Sequence, residues 1–196
     1  NYFSEDTEIY QGLKLIDEEL GGTTPLEILV KFEDETPEEL TPEDLKEMTP
    51  EEIQMEREYM EALRNKPELW FTPTKVQVIK KVHDYLDRLP EIGKVLSLVS
   101  PVRVAEDLTE EELGAFELAI LYTKIPPELK KTLIDPYVSI ADNEARILAR
   151  VLDSKPDLRR NELLETVQRD LGEKLGFEER EVTVSGLLVL YNNMLQ

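Results

Sequence analysis

The chain has 196 residues, 40% of them hydrophobic and 34% charged, a balance that buries a core and leaves a soluble rather than a disordered surface. Its formal net charge of −20 repels phosphate backbones and anionic headgroups alike, which excludes nucleic acid and anionic membranes as partners of the bulk surface. There is no cysteine, so disulfides and thiolate metal sites are excluded, while a reducing cytosol and a bridge-free periplasmic segment both stay open.

No apolar run approaches the roughly 18 residues that span a bilayer. The sequence opens without methionine or signal peptide and ends while becoming more apolar, so both ends read as boundaries within a longer protein. Residues 7–20 carry Ile9, Leu13, Ile16 and Leu20 at helical spacing, and Gly21-Gly22 follows where a helix terminus needs positive φ. In Pro25–Phe32, Leu26, Ile28, Val30 and Phe32 alternate with polar or peripheral residues, the clearest strand signal in the chain.

Residues 33–72 hold fourteen acidic residues against four basic ones, so half the net charge sits in about a fifth of the chain. Three near-copies of one pentapeptide occur there: Thr36–Leu40, Thr41–Leu45 and Thr49–Ile53. Each is a helix start, with threonine as N-cap, proline at the first position and an acid completing a capping box. Only the third has room for a longer helix, over 50–65. A calcium loop needs a glycine turn between its ligands, and this insert has no glycine; it reads as a solvated helical excursion or as a partner-binding insert.

Pro73 opens a helix whose Val76, Ile79, Val82, His83, Leu86 and Leu89 share one stripe, and Pro90 ends it. The apolar run Ile92–Val99, bounded by Pro90 and Pro101, predicts a buried strand. Residues 109–134 read as helical, with Thr109–Glu112 as a fourth capping box and Pro126-Pro127 dividing two short helices. Tyr137–Ala141 and Ala145–Leu152 flank Asp142-Asn143-Glu144 as a hairpin, with Ala145, Ile147, Ala149 and Val151 on one face and Arg146 and Arg150 on the other. Lys155-Pro156 is a turn. A helix over 158–175 presents Leu163, Leu164, Val167, Leu171 and Leu175, and Glu181–Ser185 is the last strand. With the two helical stretches set aside, the order is strand, helix, strand, then strand, helix, strand. That order predicts an α+β fold, a ferredoxin-like split β-α-β with helical insertions. Right-handed crossovers put both long helices on one face of the sheet.

Chemistry is hard to find. The single histidine, His83, lies on an apolar helical stripe, the setting of a core residue. Gly21-Gly22 lacks the lysine and the preceding strand of a phosphate loop. Ser185-Gly186 lacks the glycine two residues before the serine that a nucleophile elbow requires. We therefore expect no enzyme, no catalytic residues, no cofactor and no metal. Trp70 and Phe71 adjoin at the end of the acidic insert; they anchor it to the core or line an apolar ligand site, and they are the candidate ligand-binding residues.

Several stretches together resemble one family: Tyr2–Thr7, Leu20–Ile28, Val95–Val99, Asn143–Ile147, Val182–Leu187 and the Leu190–Leu195 ending. They resemble an extracytoplasmic porter loop, the second, of exporters in the resistance–nodulation–division (RND) superfamily, in the predicted-exporter, hopanoid-transporter and Patched-like branch. The likeness touches both ends and most of the core but not residues 33–72. It implies a single periplasmic porter domain over 1–196. Residues 7–32 and 73–100 form its first β-α-β half and 136–186 its second. Residues 33–72 and 101–135 are inserts, and 187–196 lead into a membrane helix. It implies a domain on the periplasmic side of the bacterial inner membrane that passes on a hydrophobic cargo, a lipid such as a sterol or hopanoid, with a periplasmic carrier or adaptor protein as partner. The competing expectation is an acidic protein–protein interaction domain without small-molecule cargo.

Overall fold

A computed structural model describes residues 7–33, 48–55, 66–155 and 158–194, the last four by backbone alone. The fold is α+β, built on one open antiparallel sheet. Helix α1 (Glu8–Glu19) starts at Thr7, whose hydroxyl accepts from the Tyr10 amide. Gly21 and Gly22 follow it at φ +69° and +99°. Strand β1 (Thr24–Lys31) buries Leu26, Ile28 and Val30, as the alternation predicts.

The first two pentapeptides of the acidic insert lie outside the described residues, as do residues 56–65. The third forms its capping box: the Glu52 amide donates to the Thr49 hydroxyl, and the Glu52 carboxylate accepts from the Thr49 amide. Residues 50–55 are helical. A 3-10 turn (Pro67–Trp70) leads into α2 (Pro73–Asp87), whose buried stripe is Val76, Ile79, Val82, His83 and Leu86.

The expected strand over 92–99 is shorter. Strand β2 (Ile92–Leu96) ends where its pairing with Leu148 ends, and Val99 already belongs to α3 (Val99–Thr109). The Ser97 hydroxyl accepts from the Val99 amide and starts that helix. Val99 and Val102, three apart, are buried on it. The expected capping box at Thr109 does not form. Thr109 closes α3, and its hydroxyl turns back to the carbonyls of Ala105 and Glu106. The next helices are α4 (Ala115–Lys124) and α5 (Pro127–Leu133), divided at Pro126-Pro127 as expected.

The hairpin β3 (Val138–Ser139) and β4 (Glu144–Val151) follows, then α6 (Arg160–Glu173), β5 (Val182–Ser185) and α7 (Leu187–Met194). Of the expected turn at Lys155-Pro156, the second residue lies outside the described ones. The main strands run β2-β4-β1-β5, with β3 paired to β4. β1 and β2, joined through α2, thus bracket β4, and β4 and β5, joined through α6, bracket β1; each half straddles a strand of the other. Helices α2 and α6 lie side by side on one face. The Tyr85 hydroxyl donates to Asp170 at 3.0 Å, and Lys81 Nζ donates to the Leu175 carbonyl at 2.7 Å. The opposite face is mixed, with Arg146 Nη2 bonded to Glu27 Oε1 at 2.6 Å beside half-buried Leu29, Leu96 and Leu148.

Helix α7 divides its leucines between core and solvent. Leu188 is fully buried, whereas Leu187 and Leu190 are exposed. Among the described residues no helix is long and apolar enough to cross a membrane.

Candidate functional site

The two residues singled out for ligand contact sit in an aromatic cluster. The proline that opens the 3-10 turn and the Thr72 cap of α2 fix the chain on both sides of Trp70-Phe71. Trp70 is 7% exposed and Phe71 3%. Their rings meet edge-on at 5.2 Å, Phe32 meets Trp70 edge-on at 5.7 Å, and Phe71 stacks on Tyr122 at 4.5 Å. Burial, then the charges of Asp135 and Glu68, raises the Tyr122 hydroxyl above its ordinary pKa.

Asn143 ties the cluster together from the hairpin turn. Its Oδ1 accepts from Trp70 Nε1 at 2.9 Å and from Lys75 Nζ at 3.0 Å, and its Nδ2 donates to the carbonyls of Phe32 and Glu33. The Lys75 ammonium stands 4.9 Å from the centre of the Trp70 ring, within cation–π range. Trp70 and Phe71 are therefore packed as anchors between the end of the insert, β1 and α4. Phe32 is the cluster member that reaches a cleft, of about 520 Å³, shared with Lys31, Glu33, Arg180 and Glu181. A second cleft of about 330 Å³ lies between α6 and β5, lined by Leu171, Gly172, Phe177, Val182 and Val184 with Gln168, Glu178 and Glu179.

The structure pairs His83 with a residue the sequence did not single out. Its Nδ1 lies 2.9 Å from the Ser97 hydroxyl, which is fully buried and also accepts from the Val99 amide. A serine–histidine contact is the first element of a nucleophilic site, but Ser97 is fully buried and His83 is buried, the setting of a core pair. Burial, then the nearby positive charge of Arg103, lowers the His83 pKa, against the opposing pull of Asp84 and Asp87. The folded chain thus takes up this proton at lower pH than the unfolded one, whose imidazole titrates near about 6.5. The stability that His83 contributes is whole above that value and falls as pH drops through it. We expect the melting-temperature gap between wild type and His83→Asn to shrink from pH 7.5 to pH 5; a constant gap would show that the imidazole is not held neutral.

Two buried carboxylates are fully engaged. Burial raises the Asp17 pKa, but hydrogen bonds from the Thr23 hydroxyl at 2.6 Å and the Ser154 amide at 2.8 Å help to outweigh it, and the carboxyl ends below its usual range. Asp170 is held low first by its hydrogen bond from Lys174 at 2.6 Å, against burial and with help from Tyr85. Burial, then the Asp170 bond, pushes the Tyr85 phenol well above its ordinary value. Among the described residues no group of three or more His, Asp or Glu is placed to hold a metal ion.

The largest departure from a closed core lies at α1. Ile9, Leu13, Ile16 and Leu20 form the expected stripe, but they are 47–58% exposed and face solvent; the residue of α1 that is buried is Asp17. The helix hangs from the sheet at its C-terminal end, through the two Asp17 bonds and a contact from Arg150 to the Leu20 carbonyl. Helix α7 begins at the same end of the sheet: Ser185 pairs with Glu27, three residues past the start of β1. Compared with protein-family models, curated proteins and solved structures, the chain finds no match in any of the three.

Proposed function

We propose that the chain is an extracytoplasmic porter domain of an RND-type exporter and forms one wall of a passage for a hydrophobic cargo, a lipid of the sterol or hopanoid kind. The observation that carries this reading is the exposed apolar stripe of α1; α7, which starts at the same end of the sheet, adds exposed Leu187 and Leu190. An apolar face of this extent marks a surface that meets another apolar body. The open antiparallel sheet with the order β2-β4-β1-β5 supports the reading as well, because a ferredoxin-like porter core would have such an order. On this view the cargo route runs between this domain and a neighbouring one, on the periplasmic side of the inner membrane, with a carrier or adaptor protein receiving the cargo. Trp70 and Phe71 serve the route by holding the acidic insert in place.

The test is titration of the chain with fluorescent sterol, hopanoid and fatty-acid probes, each repeated on Leu13→Glu and Ile16→Glu. These positions are exposed, so folding should change by no more than about 0.5 kcal/mol. We expect saturable binding to a sterol or hopanoid that both substitutions weaken. Absence of saturable binding, or binding indifferent to both changes, would reject the reading.

A further inference from the structure

We propose that the groove between β5 and α6 takes an extended segment of another polypeptide by strand addition, an apolar side chain of that segment entering the 330 Å³ cleft and lysines or arginines flanking it. This does not rest on the exporter reading. It rests on the sheet edge, the cleft and the charge beside them.

Among the described residues strand β5 is an edge, paired with β1 alone. The Lys31 amide donates to the Glu181 carbonyl at 2.7 Å, and the register continues through Leu29↔Thr183 and Glu27↔Ser185. In an antiparallel ladder alternate residues face the partner, so Thr183 and Ser185 bond to β1 while Val182 and Val184 turn their N–H and C=O groups to the outer edge. Proteins guard such edges with lysine, proline or a bulge. The opposite edge, β2, is guarded in this way: Lys94 is exposed on it, and its register shifts between Ile92 and Lys94. Strand β5 reads Val-Thr-Val-Ser and has none of these devices.

The side chains of Val182 and Val184 share the face of their partners Val30 and Ile28, beneath α6, and line the cleft with Leu171 and Phe177. Gly172, within α6, opens it. Its φ is not in the left-handed region, and a Cβ there would meet nothing nearer than the Phe177 carbonyl at 3.8 Å. Neither conformation nor close packing requires a glycine there; its missing side chain is part of the cleft's opening. A strand edge beside a helix, with a recess for alternate side chains, is a recurring peptide-recognition geometry. The charge beside it selects the occupant. Glu178 and Glu179 line the cleft and Glu181 directly precedes β5, while the neighbouring Arg180 already pairs with Glu178 at 2.8 Å and Glu33 at 3.3 Å.

The test uses three capped ten-residue peptides: alternating Lys-Val, alternating Glu-Val, and Lys-Val with a central proline. Binding is followed by amide NMR of the full chain. The Lys-Val peptide should bind and shift the Val182 and Val184 amides, and the other two should bind at least about tenfold more weakly. Gly172→Leu, which fills the cleft, and Val184→Pro, which removes an outward N–H without touching the β1 ladder, should each weaken binding by a similar factor. Gly172→Leu should melt no lower than wild type, since leucine is the better helix former. Lys-Val binding that survives both substitutions, equal binding of the proline peptide, or no binding with self-association through β5 instead, would overturn the proposal.

Discussion

Replacing Trp70 with alanine is expected to cost about 3–5 kcal/mol of folding stability, the range for removing a large buried aromatic. The indole lies between Phe32 and Phe71 and beneath the Lys75 ammonium, and it donates to Asn143. Trp70→Phe keeps most of the ring contacts and removes one hydrogen bond. It should cost only about 1 kcal/mol, because Asn143 Oδ1 keeps the bond from Lys75 Nζ. Urea unfolding of the two variants separates the contributions. Equal losses would mean that the hydrogen bond, not the packing, holds the insert to the core.

The second large effect is at the turn after α1. Gly22 has φ +99°, and an added Cβ would fall 2.7 Å from backbone atoms of Arg150 and Val151. Gly22→Ala meets a backbone conformation costing about 1–3 kcal/mol and must also displace β4, so its total loss should exceed about 3 kcal/mol. Gly176 offers the control. Its φ is +78° and nothing lies within 4 Å of an added Cβ, so alanine there should cost only roughly 1–2 kcal/mol. Thermal melts of the two variants give the comparison, and similar losses would show that conformation alone, without the close approach to β4, fixes both sites.

Nothing in the sequence distinguishes these two glycines, because the close approach is made by a strand about 130 residues away in the chain. Local patterns were legible wherever one face is buried and the other wet. The alternation in β1 and β4 and the stripe of α2 foretell their buried residues, and the alternation of strands and helices foretells the α+β class. The reading failed at 97–109, where a short apolar run suits either element. Tertiary factors decided it: beyond Leu148 the edge of β4 pairs with β3 instead of β2, and Ser97 starts a helix that buries Val99 and Val102. Thr109 followed by three glutamates looks like a beginning, yet it closes a helix begun ten residues earlier.

The site was half legible for the same reason. Trp70 and Phe71 stand out in the sequence, but Phe32, Tyr122 and Asn143 join them from the end of β1, from α4 and from a hairpin turn. The partner of His83 required the order of the strands. In α1 the period was readable and the facing was not, since a stripe does not say what covers it.

The attachment of α1 also bears on how the molecule opens. Hydrogen bonds near its C-terminal end hold the helix, while its apolar side chains add little to the core. Its amides therefore report a local unfolding step of much lower free energy than the global one that exposes Ile28 or Ile147. At acid pH, as protonation of Asp17 weakens its two bonds, that step should become easier while the central strands still resist exchange, making α1 a separately melting unit on a persistent sheet.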